Sequence, residues 1–275
     1  MNTKKIGFIG AGNMASSLIN GLIASGQAPS QLWASDTNQD TLHTLAEKLK
    51  INVSTDNNSL VNEVDVLVLA VKPQILRLVA EAIADTVKSN NVLIVSIAAG
   101  ISQSSLAEWL GNNCAIVRCM PNTPALVQTG ATALHANSRV SDEQKNLAEN
   151  ILRSVGISLW VDHESELDAV TAISGSGPAY FFLLMEAMEK AALELGLDEN
   201  TARLLIQQTA LGAAKIALES DETSGQLRQK VTSAGGTTEQ AIKTFEENDF
   251  SQLVSKALHA ARDRSVEMSK ELGAK

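Results

Sequence analysis

Apolar and polar positions change rhythm about 160 residues into the chain. Before that point, short runs rich in Val, Ile and Leu recur at 6–9, 31–35, 64–71, 92–97, 115–119 and 157–161. Between them, stretches such as 40–49, 74–87 and 141–152 place apolar residues three or four apart. That alternation predicts parallel strands joined by crossover helices. The run 66–71 has no polar alternation, as expected of a strand covered on both faces, and so belongs at the centre of the sheet. Residues 1–162 therefore read as a doubly wound α/β domain.

After Val161 the β-branched runs give way to long Ala-, Leu- and Glu-rich segments at 167–173, 179–195, 202–218 and 250–272. Asp198 is positioned as an N-cap, Gly196 as a C-terminal stop, and Gly235-Gly236 as a break before another helix. Residues 163–275 are expected to form an all-helical domain. Segments 180–184 and 204–206 are more apolar than a one-sided helix requires, which points to a bundle core or to self-association as a dimer.

Composition narrows the function. The formal charge of −9 and the absence of a Lys/Arg cluster argue against nucleic acid as a partner. The basic start, Met1 to Lys5, leads into an apolar stretch too short for a signal peptide core or a bilayer span, so a cytoplasmic protein with no membrane partner is expected. Two cysteines, Cys114 and Cys119, suit neither a disulfide framework nor a zinc site, and four scattered histidines suggest no metal.

Candidate chemistry begins at the first strand. Ile6-Gly7-Phe8-Ile9 runs into Gly10-Ala11-Gly12-Asn13-Met14-Ala15 and then a helical pattern. This is the strand, Gly-x-Gly-x-x-Ala turn and helix of a Rossmann-type dinucleotide site. Gly10 permits the tight turn, Gly12 the approach of a pyrophosphate, and Ala15 close packing of helix on strand. Asp36, at the end of the second strand with Ser35 and Thr37 beside it, stands where an acidic residue holds the ribose hydroxyls of NAD. A carboxylate there repels the 2′-phosphate of NADP, and the plainer alternative is that Asp36 only caps the next helix. Ala70-Val71-Lys72-Pro73, and Ile97 with Ala99, end two later strands and are expected to line the same crevice, with Asn57 and Asn122 as further cofactor contacts.

Three later segments complete the pattern: Arg118-Cys119-Met120-Pro121-Asn122-Thr123-Pro124, Ser174-Gly175-Ser176-Gly177-Pro178-Ala179-Tyr180, and Val231-Thr232-Ser233-Ala234-Gly235-Gly236-Thr237-Thr238. With the glycine turn and the Ala-Val-Lys-Pro turn, they occur in the order found in the pyrroline-5-carboxylate reductase family, which the whole chain resembles. The resemblance implies hydride transfer from NADPH or NADH to the C=N bond of 1-pyrroline-5-carboxylate, giving L-proline, in a dimer or larger homo-oligomer. It further implies that Thr238 contacts the substrate near its imine nitrogen as proton donor or orienter, and that Glu164 contacts the bound amino acid. Ser176, Gly177 and Pro178 would then shape the substrate pocket. The run Ser233, Gly235, Gly236, Thr237 and Thr238 reads as a backbone nest for a carboxylate at a helix N-terminus, against the plainer alternative of a loop with a Thr cap.

The chain departs from relatives at Thr223-Ser224-Gly225, where His-Pro-Gly is frequent, and at Ala234, where Pro is frequent. Asp36 departs from the neutral or basic residue expected of strictly NADPH-dependent members, so dual cofactor use is expected. β-Hydroxyacid dehydrogenases and other imine reductases are the nearest rivals. The former place a catalytic Lys about four residues after a similar Gly-x-Gly turn, whereas here no Lys follows Gly177 before Lys190. A non-catalytic dinucleotide sensor would have no use for the second anion-binding loop.

Overall fold

The computed structural model describes residues 4–273, so the basic start read from Met1 lies partly outside the described residues. By its contacts the chain separates into two units, the second being Gly177–His259; from Ala260 the chain returns to the first.

The first unit holds one eight-stranded sheet, in the order β3-β2-β1-β4-β5-β6-β7-β8. Its strands are β1 (Ile6–Ile9), β2 (Leu32–Ser35), β3 (Asn52–Ser54), β4 (Val66–Leu69), β5 (Leu93–Ser96), β6 (Ile116–Met120), β7 (Gly130–Ala136) and β8 (Gly156–Trp160). All pairings are parallel except β6 with β7. Its helices are α1 (Asn13–Ala24), α2 (Gln39–Leu49), α3 (Asn57–Glu63), α4 (Pro73–Asn90), α5 (Gln103–Trp109), α6 (Asp142–Arg153) and α7 (Glu166–Val170). The strand order reverses between β1 and β4, which is where ligands bind in open sheets of this kind. The doubly wound, Rossmann-type reading of the N-terminal half is therefore the observed one.

Strand β4 shows why the sheet sits where it does. Val66 and Val68 pack into one apolar cluster with Phe8, Leu18 and Leu32, while Leu67 and Leu69 pack into another with Ile9, Leu76 and Ile94. Both faces are fully buried, as the missing polar alternation requires, and each such side chain contributes roughly 1.5–3 kcal/mol by leaving water. Two strands escaped the sequence pattern. Asn52-Val53-Ser54 has no apolar run and exists as an edge paired to β2. Gly130–Ala136 is built from small residues and is held by pairing on both sides, to β6 and β8.

The second unit is helical: α8 (Gly177–Glu194), α9 (Glu199–Glu219), α10 (Ser224–Lys230), α11 (Thr237–Glu247) and the start of α12 (Phe250–Gly273). Asp198 caps α9 by accepting from the Thr201 amide at 3.0 Å. Gly196 ends α8 at φ +92°, and Leu197 N–H reaches back to Ala192 O at 3.1 Å. The departure at 223–225 has its own local solution: Thr223 caps α10, and its amide donates to Gln226 Oε1 at 2.8 Å.

Large apolar side chains of this unit stand in solvent, among them Phe181, Phe182, Leu183, Leu204 and Leu218. The stretch Glu166–Glu194 is long and apolar enough to cross a membrane by length and composition, and only 17% of its most apolar window is buried.

Candidate active site

Gly10 closes the first βα turn at φ +99°, its amide donating to Ser35 O at 2.8 Å. A Cβ there would lie 2.7 Å from Ala70 O, so only glycine lets the ends of β1 and β4 come this close. Gly12 precedes α1 with nothing within 4 Å of where its Cβ would stand, and no side chain caps the helix. No acidic residue occupies the first turn of α1. The free amides and the positive helix end therefore face open space beside Asn13 and Met14, an arrangement that fits a pyrophosphate in charge and room.

The end of β2 braces this turn from the side. Asp36 Oδ2 accepts from the Ala11 amide at 2.8 Å and Oδ1 from the Asn38 amide at 2.9 Å. Asp36 does not cap α2; Asn38 does, accepting from the Thr41 amide at 3.1 Å. Ser35 is fully buried, and its hydroxyl donates to Asn57 Oδ1 at 2.7 Å, so these two residues support the turn from beneath. Thr37 is exposed. No Arg or Lys stands among residues 35–38.

Two neighbouring strand ends continue the crevice. Ala70 N–H donates to Ile9 O at 2.8 Å, and Lys72 precedes Pro73, which begins α4 where its missing amide costs nothing. Beyond β5, Ile97 N–H donates to Leu69 O at 3.2 Å, followed by Ala98, packed in the core, and the partly exposed Ala99.

Past β6 the site residues are held by side-chain bonds. Arg118 lies inside an apolar strand with its side chain 7% exposed, and its Nη1 donates to Glu164 Oε1 at 2.8 Å. The same oxygen accepts from the Gln103 amide at 2.7 Å. Gln103 in turn donates to Ile116 O and His135 O and faces His135 Nδ1 at 2.9 Å. Glu164 therefore latches the approach to α7 onto α5 and β6. Farther along, Asp168 on α7 accepts from Ser265 Oγ on α12 at 2.7 Å. The chain then makes a π-helical turn, Thr171–Gly175, and reaches Ser176. Asn122 donates to Ser174 O at 3.0 Å and accepts from the Ala131 amide at 2.9 Å.

In the second unit, Gly177 and Pro178 open α8, and the loop from Ser233 leads into α11. Gly235 adopts φ +71°, and Gly236 donates to Ser233 O at 3.0 Å and starts α11 with no side-chain cap. Thr237 and Thr238 supply the first-turn amides, and the Thr238 hydroxyl makes no hydrogen bond among the described residues. The Gly235 amide, expected to face a substrate carboxylate, donates to Glu239 Oε2 at 2.7 Å. Sequence reasoning missed Glu239 and the Arg118–Gln103–Asp168–Ser265 supports; the one signal available was a charged residue, Arg118, inside an apolar strand run.

Among the described residues no group of three or more His, Cys, Asp or Glu side chains is placed to hold a metal ion. Cys114 and Cys119 are free and buried, and burial pushes both thiols up, away from the reactive thiolate.

A family model described as pyrroline-5-carboxylate reductase dimerisation matches residues 164–268, and one described as NADP oxidoreductase, coenzyme F420-dependent, matches residues 5–100. The chain is 52% identical to the Pseudomonas aeruginosa pyrroline-5-carboxylate reductase over 99% of its own length and 100% of that protein's. It belongs to the pyrroline-5-carboxylate reductase family. A solved family structure from Coxiella burnetii superposes with TM-score 0.94 at 47% identity, covering 98% of this chain and 99% of that one. A Plasmodium falciparum pyrroline carboxylate reductase, solved with NADP bound, superposes at 0.86 with 31% identity and coverage of 98% and 99%. The family fold thus extends over both halves of the chain.

Proposed function

We propose that this protein reduces the C=N bond of 1-pyrroline-5-carboxylate to give L-proline, using NADPH or NADH. The observation that carries the reading is full-length identity of 52% to a family member, joined to a glycine turn open to a pyrophosphate. A bound nicotinamide dinucleotide supplies the hydride, which carries two electrons to the imine carbon while one proton goes to the nitrogen. The first α/β turn, shaped by Gly10 and Ala11, would hold the pyrophosphate on the helix-end amides of Gly12, Asn13 and Met14. Ala70 to Pro73, Ile97 and Ala99 would line the crevice at the strand ends, with Asn57 behind it. Substrate contacts fall to Ser176, Gly177, Pro178, the Ser233 hydroxyl and the amides and hydroxyls of Thr237 and Thr238 beyond the Gly235-Gly236 break, with Glu164 acting on the 164–176 segment. A protonated imine is already electrophilic, so the chain's main task is to orient it. The Thr238 hydroxyl, which has no hydrogen-bond partner among the described residues, is available to hold or pass the proton at the nitrogen. Rapid oxidation of either cofactor that depends on added pyrroline-5-carboxylate, followed at the nicotinamide absorbance, tests this reading. Demonstrated cofactor binding without such oxidation would leave a sensor or a related imine reductase.

Residues 1–162 are proposed as the dinucleotide-binding domain and 163–275 as the helical substrate and dimerisation domain of a cytoplasmic enzyme, where two free buried thiols would be at home. The exposed apolar side chains of α8 and α9 support burial against a second copy. Sedimentation should show a dimer or larger at micromolar concentration; a persistent monomer would contradict it.

Asp36 has two effects to separate. Asp36→Ala should shift relative affinity towards NADPH, because a negative charge near the ribose is removed. Superimposed on that shift, loss of the charged acceptor for the Ala11 amide should weaken both cofactors by a common factor of roughly ten. Titration of the two cofactors by protein fluorescence checks this, and an unchanged affinity ratio would reduce Asp36 to a brace.

A further inference from the structure

We infer that Asn122 is a positioning residue for the substrate side of the reaction: by gripping the π-helical turn Thr171–Gly175, it sets where Ser176 is presented. This rests on the reductase reading above. Asn122 is 9% exposed, and both ends of its amide are spent inside the protein, on Ser174 O at 3.0 Å and the Ala131 amide at 2.9 Å. One Nδ2 hydrogen is left for any other partner.

The turn it grips is an unusual one. Ser176 N–H closes it by reaching back five residues to Thr171 O at 2.8 Å. Wide turns of this kind are poor in isolation, recur at functional sites and persist where their surroundings hold them. Here the surroundings are the exit of β6. Asn122 takes the Ser174 carbonyl, and Met120 fills the space beside Gly175, where a Cβ would lie 2.5 Å from Met120 Cε. The Ser174 hydroxyl turns inward to Val170 O at 3.0 Å, which leaves the backbone carbonyl for Asn122. Ser176 follows directly, so a slip in the turn displaces it.

Asn122→Asp is the cleanest test, since it keeps the acceptor for Ala131 and replaces only the donor to Ser174. The KM for pyrroline-5-carboxylate should rise about tenfold, the loss expected for one buried hydrogen bond. The NADPH dissociation constant, measured by nicotinamide fluorescence without substrate, should stay within about twofold, and amide exchange across 171–177 should speed up. Lowering the pH should return part of the KM, because a protonated carboxyl again donates to Ser174 O. If Asn122→Asp fails to fold, Asn122→Ala removes the same donor to Ser174 O without adding a buried charge and should give the same split. Weakened NADPH binding with unchanged KM and unchanged exchange would make Asn122 a cofactor contact and overturn the inference. Should the wild-type protein not reduce pyrroline-5-carboxylate, the reductase reading falls, while exchange and NADPH binding still decide whether Asn122 holds the turn.

Discussion

Thr238→Ala is expected to lower kcat about 100-fold or more while leaving the NADPH dissociation constant unchanged. Thr238 stands in the first turn of α11, after a Gly-Gly break that needs φ +71° at Gly235, and its hydroxyl makes no hydrogen bond among the described residues. Removing a cap would destabilise the helix, but Gly236 already starts α11 without one, so Thr238 is not there for the helix. A hydroxyl at the imine nitrogen matters only once a substrate is bound, and proton transfer by a positioned group is worth about 10²–10⁴ in rate. Thr238→Ser keeps the hydroxyl and should recover most of the loss. Steady-state kinetics with both variants decide the point: unchanged turnover in Thr238→Ala would remove this residue from the chemistry.

Replacing Arg118 alone should destabilise the first unit strongly. Arg118→Met leaves Glu164 against the Gln103 amide with no cation, and stripping one partner from a buried pair costs about 3–5 kcal/mol. The Glu164 side chain is 26% exposed, so the lower end, about 3 kcal/mol, is expected. Urea unfolding followed through the first unit's signal checks the value. The double change Arg118→Met with Glu164→Leu removes both charges and should recover much of the loss. A single variant as stable as the wild type would show that Arg118 finds compensation elsewhere.

The contrast between these two residues shows what the sequence made legible. The glycine turn, the strand runs and the caps at Asp198 and Gly196 are local: a few neighbouring residues dictate them, and the structure has them within a residue or two of expectation. Strands such as β7 are non-local, because Gly130–Ala136 forms only where β6 and β8 offer partners. The candidate site divides in the same way. Its glycines and threonines announce themselves by spacing, whereas Glu164, Asn122 and Ser35 could be named but not placed. In each, the role depends on partners far along the chain: Arg118 lies 46 residues from Glu164, Ser174 lies 52 from Asn122, and Asn57 lies 22 from Ser35. Asp36 is the instructive case, since its position suggests a ribose contact or a cap. The structure shows it holding the amide of Ala11, 25 residues earlier.

In the reaction proposed, hydride passes to the imine carbon of a cyclic imino acid, and isotopic labelling shows where it goes. NADPH deuterated at the transferring position of its nicotinamide should be incubated with the protein and pyrroline-5-carboxylate, and the product examined by mass spectrometry and NMR. The account predicts L-proline carrying one deuterium on the ring carbon that was double-bonded to nitrogen. Cofactor oxidation without labelled proline, or label at any other carbon, would contradict it.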